Sequence, residues 1–252
     1  MQEHICIVTG AASGIGLAIS ELFVAQKFRV LMVDRQENEL MKEAKRLECE
    51  YVVADLSQRS ECKKIIDFAK AKFDYVDILV NVAGLQHVSA IETFDEDKWD
   101  YMLNVMLTAP FLLSKYVWPL MKEKGWGRII HLNSIHGLVA SEFKSAYISA
   151  KHGLSGLTKV SALEGAPYGI TVNSICPAYV KTPLVDKQIA DQAKLHHIDE
   201  DEVITKIMLQ KAAIKQLIKV EDIAHMVLYL CGEHADMITG STMTIDGGWT
   251  VA

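Results

Sequence analysis

Two residues that can move a proton lie four positions apart in the sequence, Tyr147 and Lys151. The segment around them reads as a helix, and side chains four residues apart emerge from the same helix face. Lys144, three residues before Tyr147, is expected on that face as well. Ser134 follows the apolar run Arg128–Leu132, which we predict to be a buried strand. A phenol, two ammonium groups and a hydroxyl are therefore expected in one region.

These groups suit a reaction in which a proton moves together with a change at a carbon–oxygen bond. A free tyrosine titrates near ~10, and a nearby lysine cation favours its phenolate form. Tyr147 could then take a proton from an alcohol or return one to a ketone, while Ser134 holds the reacting oxygen. His136 would point the same way as Ser134 if the extended chain continues. Taken alone, Tyr147 and Lys151 are equally compatible with an ordinary solvated helix face.

Length and charge narrow the possible functions. The 252 residues fit one α/β domain over 1–252, and half of them are hydrophobic, which is enough for a sizeable core. The net charge of −6 provides no basic field, so we expect no nucleic-acid partner. The five cysteines are scattered without C-x-x-C spacing. This pattern favours reduced thiols over disulfides or a zinc site, and we predict no metal site.

The sequence contains no pattern typical of membrane insertion. Met1–Glu3 lead almost directly into an apolar strand, so we expect no signal peptide. No uncharged apolar run approaches the ~20 residues needed to span a bilayer. We therefore expect a cytoplasmic protein without a membrane partner.

A glycine-rich turn follows the first predicted strand. The strand Ile5–Val8 runs into TGAASGIG at Thr9–Gly16, and a helical pattern comes next. Gly10 would permit the turn, Gly14 would let the backbone approach phosphates, and Gly16 would allow close packing of helix on strand. A pyrophosphate could bind the helix N-terminus there. The spacing is G-x-x-x-G-x-G, and an ordinary tight turn between strand and helix remains the alternative.

Asp34 ends the second predicted strand, Arg29–Val33. A carboxylate at this place can bind both hydroxyls of an adenosine ribose, and it repels a 2′-phosphate. We therefore predict NAD rather than NADP as the cofactor. Arg35, the next residue, is what an NADP site would use, and it argues in the opposite direction.

Strands and helices alternate along most of the chain, which predicts a parallel sheet with helices on both faces. After the fourth strand, the small residues of Asn81–Gly84 leave room for a flat ring. The apolar segment Glu96–Lys122 contains Asn104, and an asparagine in such a segment is usually a hydrogen-bonded core residue. It also contains Pro110, which should bend or interrupt a helix.

The alternation breaks at Ala178–Lys219, and we predict a substrate lid over about 179–219 in two helical pieces. His196 and His197 lie within this segment. Adjacent histidines on a helix point apart, so they do not predict a metal site.

With these motifs in register, the chain resembles the short-chain dehydrogenase/reductase family over nearly its full length. The resemblance rests on TGAASGIG, NVAG, Asn104, Ser134, the YISAK segment Tyr147–Lys151, and a proline after strand six. It implies a Rossmann-type, doubly wound, seven-stranded parallel sheet, hydride transfer with NAD(P), and a homotetramer. It also implies catalytic roles. Tyr147 is the acid and base, Ser134 orients the substrate, Lys151 lowers the tyrosine pKa and holds the nicotinamide ribose, and Asn104 positions a water.

The same resemblance implies a set of residues that bind the cofactor: Thr9, Gly10, Ser13, Gly14, Ile15, Gly16, Asp34, Asp55, Leu56, Asn81, Ala83, Gly84, Tyr147, Lys151, Pro177, Val180 and Thr182. Two positions depart from the family pattern. Val82 stands where an asparagine is usual, and Ala178 stands where a glycine is usual. Neither change removes a chemical group from the reaction.

A closer resemblance is to the branch of this family that interconverts D-3-hydroxybutyrate and acetoacetate with NAD. It rests on the pieces GLQHVSAIE, SIHGL, FKSAY, KHG, TPLVDKQIA and DGGWT. It implies a small hydroxy or keto acid as substrate, bound by Gln86, His136, Lys144 and Gln188, with Trp249 closing the pocket. Tyr179 stands where that branch usually has tryptophan, which affects the apolar wall of the pocket.

Two other functions remain open from the sequence. The first is reduction of a 3-ketoacyl thioester with NADPH, which Asp34 and the Gln, His and Lys cluster oppose. The second is a non-catalytic dinucleotide-binding protein, which the presence of Ser134, Tyr147 and Lys151 opposes.

Overall fold

The computed structural model describes residues 4–251, apart from the side chains at 191, 192 and 194–196. Seven parallel strands form one sheet in the order β3-β2-β1-β4-β5-β6-β7. The strands are β1 Ile5–Thr9, β2 Arg29–Asp34, β3 Glu50–Val53, β4 Ile78–Asn81, β5 Gly127–Leu132, β6 Ile170–Pro177 and β7 Thr242–Ile245. The chain order reverses beside β1, which makes this the doubly wound, Rossmann-type sheet that the sequence predicted.

Helices cover both faces of the sheet. They are α1 Gly14–Ala25, α2 Glu37–Leu47, α3 Arg59–Phe73, α4 Glu96–Leu103, α5 Ala109–Lys124, α6 Ser145–Gly165, α7 Pro183–His196, α8 Glu200–Glu202 and α9 Val220–Cys231. The predicted strands Ile5–Val8, Arg29–Val33 and Arg128–Leu132 agree with β1, β2 and β5 to within one residue at each end. The predictions based on Met1–Glu3 fall outside the described residues.

The alternation of side chains along each strand divides the core into two layers. In β1, Ile5 and Ile7 pack with α3, α5 and α6, whereas Cys6 and Val8 pack with α1, α2 and α9. Strands that are apolar on both faces must be covered on both faces, which is why they read as continuous hydrophobic runs. The five cysteine thiols are free.

The segment before Pro110 is wound more widely than an α-helix. The prediction that Pro110 bends or interrupts the helix is correct in that the helix changes its winding just before Pro110, but the helix does not end there. Between α4 and α5, residues Asn104–Thr108 form a π-helical turn, and the helix then continues through Pro110. Proline has no backbone N–H and clashes with the preceding turn, so a local change of winding accommodates it without a break.

The predicted lid leaves the sheet after β6 and contains α7, α8 and the π-helical turn Val203–Met208. Its two ends are tied together, because Val180 and Ile218 form a parallel bridge. The Lys181 amide donates to the Ile218 carbonyl at 2.9 Å, and the Ile218 amide donates to the Tyr179 carbonyl at 3.0 Å. Within residues 4–251, no helix combines the length and hydropathy that a bilayer-spanning segment needs.

Candidate active site

The carboxyl ends of the strands border a cleft of about 300 Å³. Most of the residues that the sequence predicted for a site line it: Gly10, Ser13, Gly14, Ile15, Gly16, Asp34, Asp55, Leu56, Ala83, Gly84, Gln86, Ser134, His136, Lys144, Tyr147, Lys151, Pro177, Val180, Thr182 and Gln188. Residues up to 178 positions apart in the chain thus meet because parallel strands end at one edge of the sheet.

The glycine-rich turn is closely packed against the sheet. Gly10 has a φ of +66° and Gly14 a φ of +54°, a region that residues with a Cβ rarely adopt. A Cβ on Gly16 would lie 2.1 Å from the Gly10 carbonyl oxygen, so only glycine fits there. The turn delivers the N-terminus of α1 to the cleft, where backbone N–H groups favour an anion. These residues fit a dinucleotide pyrophosphate.

Asp34 lies beside this turn with both carboxylate oxygens held in place. Oδ2 accepts from the Ala12 amide at 3.1 Å, and Oδ1 accepts from the Gln36 amide at 3.0 Å. The side chain lines the cleft together with Asp55 and Leu56. A fixed carboxylate next to a phosphate-binding turn is suited to the hydroxyls of a ribose.

Ser134 follows the end of β5 and lies at a turn that its own hydroxyl stabilises. Its Oγ accepts from the His136 amide at 3.1 Å, which leaves the hydroxyl proton free to donate to a substrate oxygen. The extended chain therefore does not continue, and our reason for the direction of His136 is wrong. A 3-10 turn over Ile135–Gly137 brings His136 into the cleft by a different path.

Asn133 supports this turn from behind, and sequence reasoning missed it. Its Oδ1 accepts from the Ser134 amide at 2.9 Å, and its Nδ2 donates to the Ser155 hydroxyl at 2.8 Å. The Ser155 hydroxyl donates in turn to the Gly137 carbonyl at 3.1 Å. The signal in the sequence is a polar residue between a buried strand and a reactive serine.

Tyr147 and Lys151 both project from α6 into the cleft, as the four-residue spacing predicts. Lys151 Nζ lies 5.6 Å from the centre of the Tyr147 ring and donates to the Leu132 carbonyl at 2.7 Å. The pKa of Tyr147 as a whole is raised, and the opposing effect expected from the Lys151 charge stays a prediction. Burial raises the pKa of Tyr147, and the nearby Ser134 hydroxyl only partly opposes this. Burial also lowers the pKa of Lys151 to about 8.

Lys144 and His136 form the most polar part of the cleft beyond Tyr147. Lys144 does not share the helix face as predicted, because it is the residue that caps α6. Its Nζ still lies 3.4 Å from His136 Nε2. Burial, followed by the charge of Lys144, lowers the pKa of His136 to about 4, so the imidazole is neutral at pH 7. Because an ammonium group only donates, Nε2 accepts and the ring proton is on Nδ1.

The remaining predicted substrate residues surround this pair from several elements. Gln86 follows β4 and Gln188 lies on α7, and both line the cleft. Trp249 is buried but does not line it. Its ring meets the His136 ring edge to face, with 6.2 Å between centres, so it supports the imidazole from behind.

Three more predicted residues do not line the cleft. Thr9 is buried, and its Oγ1 accepts from the amides of Val82 and Ala83 at 3.0 and 3.2 Å. Asn81 is buried against the His131 ring, with 3.1 Å between Nδ2 and Nδ1. Asn104 begins the π-helical turn. The first two hold the wall of the cleft, and the proposed water-positioning role of Asn104 stays a prediction.

Tyr101 also lines the cleft, and sequence reasoning missed it. Arg35 and Tyr179, which the sequence placed near the cofactor and in the apolar wall, line it as well. Tyr179 lies at the end of the cleft that contains Lys144, with its ring centre 5.9 Å from Lys144 Nζ. Among the side chains that the structure describes, no group of three His, Cys, Asp or Glu residues could hold a metal ion. His197 follows the last residue of α7, and the side chain of His196 lies outside the described part.

Comparison with known proteins gives three findings. A family described as enoyl-(acyl carrier protein) reductase matches residues 10–250. D-beta-hydroxybutyrate dehydrogenase from Rhizobium meliloti (strain 1021) is 45% identical over 251 residues, which are 97% of each chain. The enzyme of the same name from Cupriavidus necator is 39% identical, with 96% of each chain covered.

A solved structure extends the comparison to the fold. An actinorhodin polyketide ketoreductase variant, crystallised with NADPH, superposes with a TM-score of 0.93 at 30% identity. The match covers 98% of this chain and 97% of the other.

Proposed function

The chain belongs to the short-chain dehydrogenase/reductase family and is an oxidoreductase, and from this premise we propose that it interconverts D-3-hydroxybutyrate and acetoacetate with NAD. The observation that carries the proposal is the pairing of Lys144 with His136 next to Ser134 and Tyr147. A carboxylate can bind the ammonium group while the substrate oxygen meets the two hydroxyls. Two relatives with this activity in their names, at 45% and 39% identity, support the same substrate.

The proposed mechanism assigns each step to residues around the cleft. The glycine turn and Asp34 would hold NAD, which would supply the hydride acceptor for oxidation and, as NADH, the hydride donor for reduction. The Ser134 hydroxyl donates a hydrogen bond to the reacting substrate oxygen and thereby orients it. Tyr147 is protonated at neutral pH because burial raises its pKa, so it can give its proton to the oxygen during reduction. Giving up this proton leaves a phenolate, which the Lys151 ammonium group stabilises, and in oxidation that phenolate takes the proton of the alcohol.

The choice of NAD rests on Asp34. Its carboxylate is fixed by two backbone amides beside the glycine turn, so it cannot easily move away from a 2′-phosphate. Repulsion between the two negative charges should exclude NADP. The structural neighbour that holds NADPH, together with Arg35 in the cleft wall, favours the alternative of an NADPH-dependent 3-ketoacyl-thioester reductase.

One set of assays separates these functions. We expect NADH to form from NAD and D-3-hydroxybutyrate, with little turnover of the L enantiomer or of NADP. A thioester such as acetoacetyl coenzyme A has no carboxylate at the Lys144 position and should react slowly. Faster reduction of the thioester with NADPH than of acetoacetate with NADH would instead support the alternative. Absence of turnover with all of these, despite measurable NADH binding, would favour a non-catalytic role.

We further propose a cytoplasmic homotetramer. Apolar side chains on α5 and α6 are unusually exposed for a monomer: Phe111 is 47%, Val160 47% and Leu163 78% exposed. Large exposed apolar patches mark interfaces, and a second copy of the chain is the partner that the family resemblance implies. Light scattering should give four times the chain mass, and Leu163→Asp should reduce the assembly. A monomer at micromolar concentration would contradict the proposal.

A further inference from the structure

Arg35 and Tyr101 meet across the adenosine-binding end of the cleft. Arg35 follows the last residue of β2, whereas Tyr101 comes from α4, and both line the cleft. The Arg35 Nη1 donates to the Tyr101 hydroxyl oxygen at 2.6 Å. The guanidinium carbon lies 5.9 Å from the centre of the Tyr101 ring. The arginine is therefore directed towards α4, although its backbone is next to Asp34.

The Tyr101 hydroxyl is well suited to hold the arginine. Burial raises the pKa of Tyr101, while the charges of Arg35 and Asp55 act on it in opposite directions. The phenol is thus neutral at pH 7. Its oxygen accepts from Arg35, and its own proton is available to the carboxylate of Asp55.

Arg35 is the cation that could recognise a 2′-phosphate. Among the described residues that line the cleft, the Lys and Arg side chains are Arg35, Lys144 and Lys151. The two lysines lie at the opposite end, beside His136 and Tyr147. An arginine next to Asp34 is the group that binds the 2′-phosphate in sites that accept NADP.

We propose that Tyr101 is a specificity-determining residue that holds Arg35 on α4, away from the position beside Asp34 where a 2′-phosphate would lie. This inference rests on the proposed function, since it concerns the same cofactor site. It adds a second restraint to the charge of Asp34. The Asp34 carboxylate repels the phosphate, and Tyr101 withholds the cation that would compensate it.

The test removes the hydroxyl and keeps the ring. Fluorescence titration without substrate would give the Kd of NADH and of NADPH for wild type and Tyr101→Phe. A hydrogen bond to a charged group corresponds to roughly tenfold or more in affinity, so NADPH should bind about tenfold tighter to the variant. The Kd of NADPH divided by the Kd of NADH should fall by a similar factor from wild type to Tyr101→Phe. Tyr229→Phe, at an exposed position of α9, is the matched control and should leave the ratio unchanged.

The arginine must carry the effect. Adding Arg35→Gln to Tyr101→Phe should abolish the gain in NADPH affinity, as measured by a double-mutant cycle with Arg35→Gln alone. Unchanged NADPH affinity in Tyr101→Phe overturns the inference, and so does a gain that persists without Arg35. These outcomes leave the proposed function intact if wild type still prefers NADH. Equal affinity of wild type for NADH and NADPH would refute the proposed preference for NAD. Even then, tighter binding of NADPH by Tyr101→Phe than by wild type would support the inference that Tyr101 holds Arg35 away from the phosphate.

Discussion

Replacing Lys144 by alanine tests the proposed binding of the substrate carboxylate. Lys144 Nζ lies 3.4 Å from His136 Nε2, and His136 is neutral at pH 7 because its pKa is about 4. Lys144 is therefore the charged member of this pair. Burial lowers the pKa of Lys144 as well, which means that the charge is partly removed from water. A carboxylate bound there would be left without a compensating charge in Lys144→Ala.

The size of the effect follows from this burial. Removing one partner of a buried charge pair costs about 3–5 kcal/mol, whereas an exposed pair contributes under ~1 kcal/mol. Lys144 is only partly buried in an accessible cleft, so the lower end applies. About 3 kcal/mol corresponds to a loss of about 10²-fold in kcat/KM for D-3-hydroxybutyrate. Gln188→Ala should lose less, because a neutral group gives about 1.5–3 kcal/mol when it hydrogen-bonds a charged one.

The methyl ester of 3-hydroxybutyrate separates charge recognition from damage to the site. The ester keeps the reacting hydroxyl and loses the negative charge, so wild type should oxidise it poorly and Lys144→Ala should oxidise it almost as well as wild type does. Lys159→Ala is the matched control, because this lysine is on the same helix but exposed. Equal losses for acid and ester in Lys144→Ala would refute the reasoning, since the lysine would then act on the fold or on Tyr147.

Three further predictions use other parts of the structure. Asp34→Ala should raise kcat/KM with NADP relative to NAD in steady-state assays, and equal use of both by wild type would contradict the role of Asp34. Tyr147→Phe should lower turnover by at least ~10²-fold while NADH still binds, and a near-normal rate would contradict the mechanism. The third concerns His131, whose buried ring has a pKa of about 3. Because the unfolded chain binds more protons between pH ~6.5 and that value, the free energy of unfolding should fall as pH falls through this range. In thermal melts, the Tm of His131→Asn should depend less on pH than the Tm of wild type does. The same pH dependence of Tm in both proteins would contradict this.

The sequence was sufficient to predict the sheet and the position of the cleft. Buried strands such as Arg128–Leu132 alternate with amphipathic helices, and only a parallel sheet covered on both faces accommodates that order. Glycines whose conformation or packing excludes a Cβ, such as Gly10 and Gly16, identify the turn at the head of α1. The four-residue spacing of Tyr147 and Lys151 likewise places both side chains in the cleft.

Local pattern could not predict the features that depend on contacts made by the folded chain. The direction of His136 depends on its amide bonding the Ser134 hydroxyl, a choice that a run of residue types does not reveal. The raised pKa of Tyr147 reflects how the rest of the folded chain surrounds its half-buried side chain, and burial is a property of the whole fold. Arg35 and Tyr101 are 66 positions apart, so their contact exists only once β2 and α4 have packed.

The bridge between Val180 and Ile218 makes the predicted substrate lid structurally independent of the sheet. Because the chain leaves and returns at adjacent points, the intervening segment can change in length or sequence while β6 and α9 keep their places. The entropy of closing a loop grows only slowly with its length, so such changes are tolerated thermodynamically. Evolution, or a protein engineer, can therefore exchange this segment as a module and alter which acids the scaffold accepts without rebuilding the reactive groups beneath it.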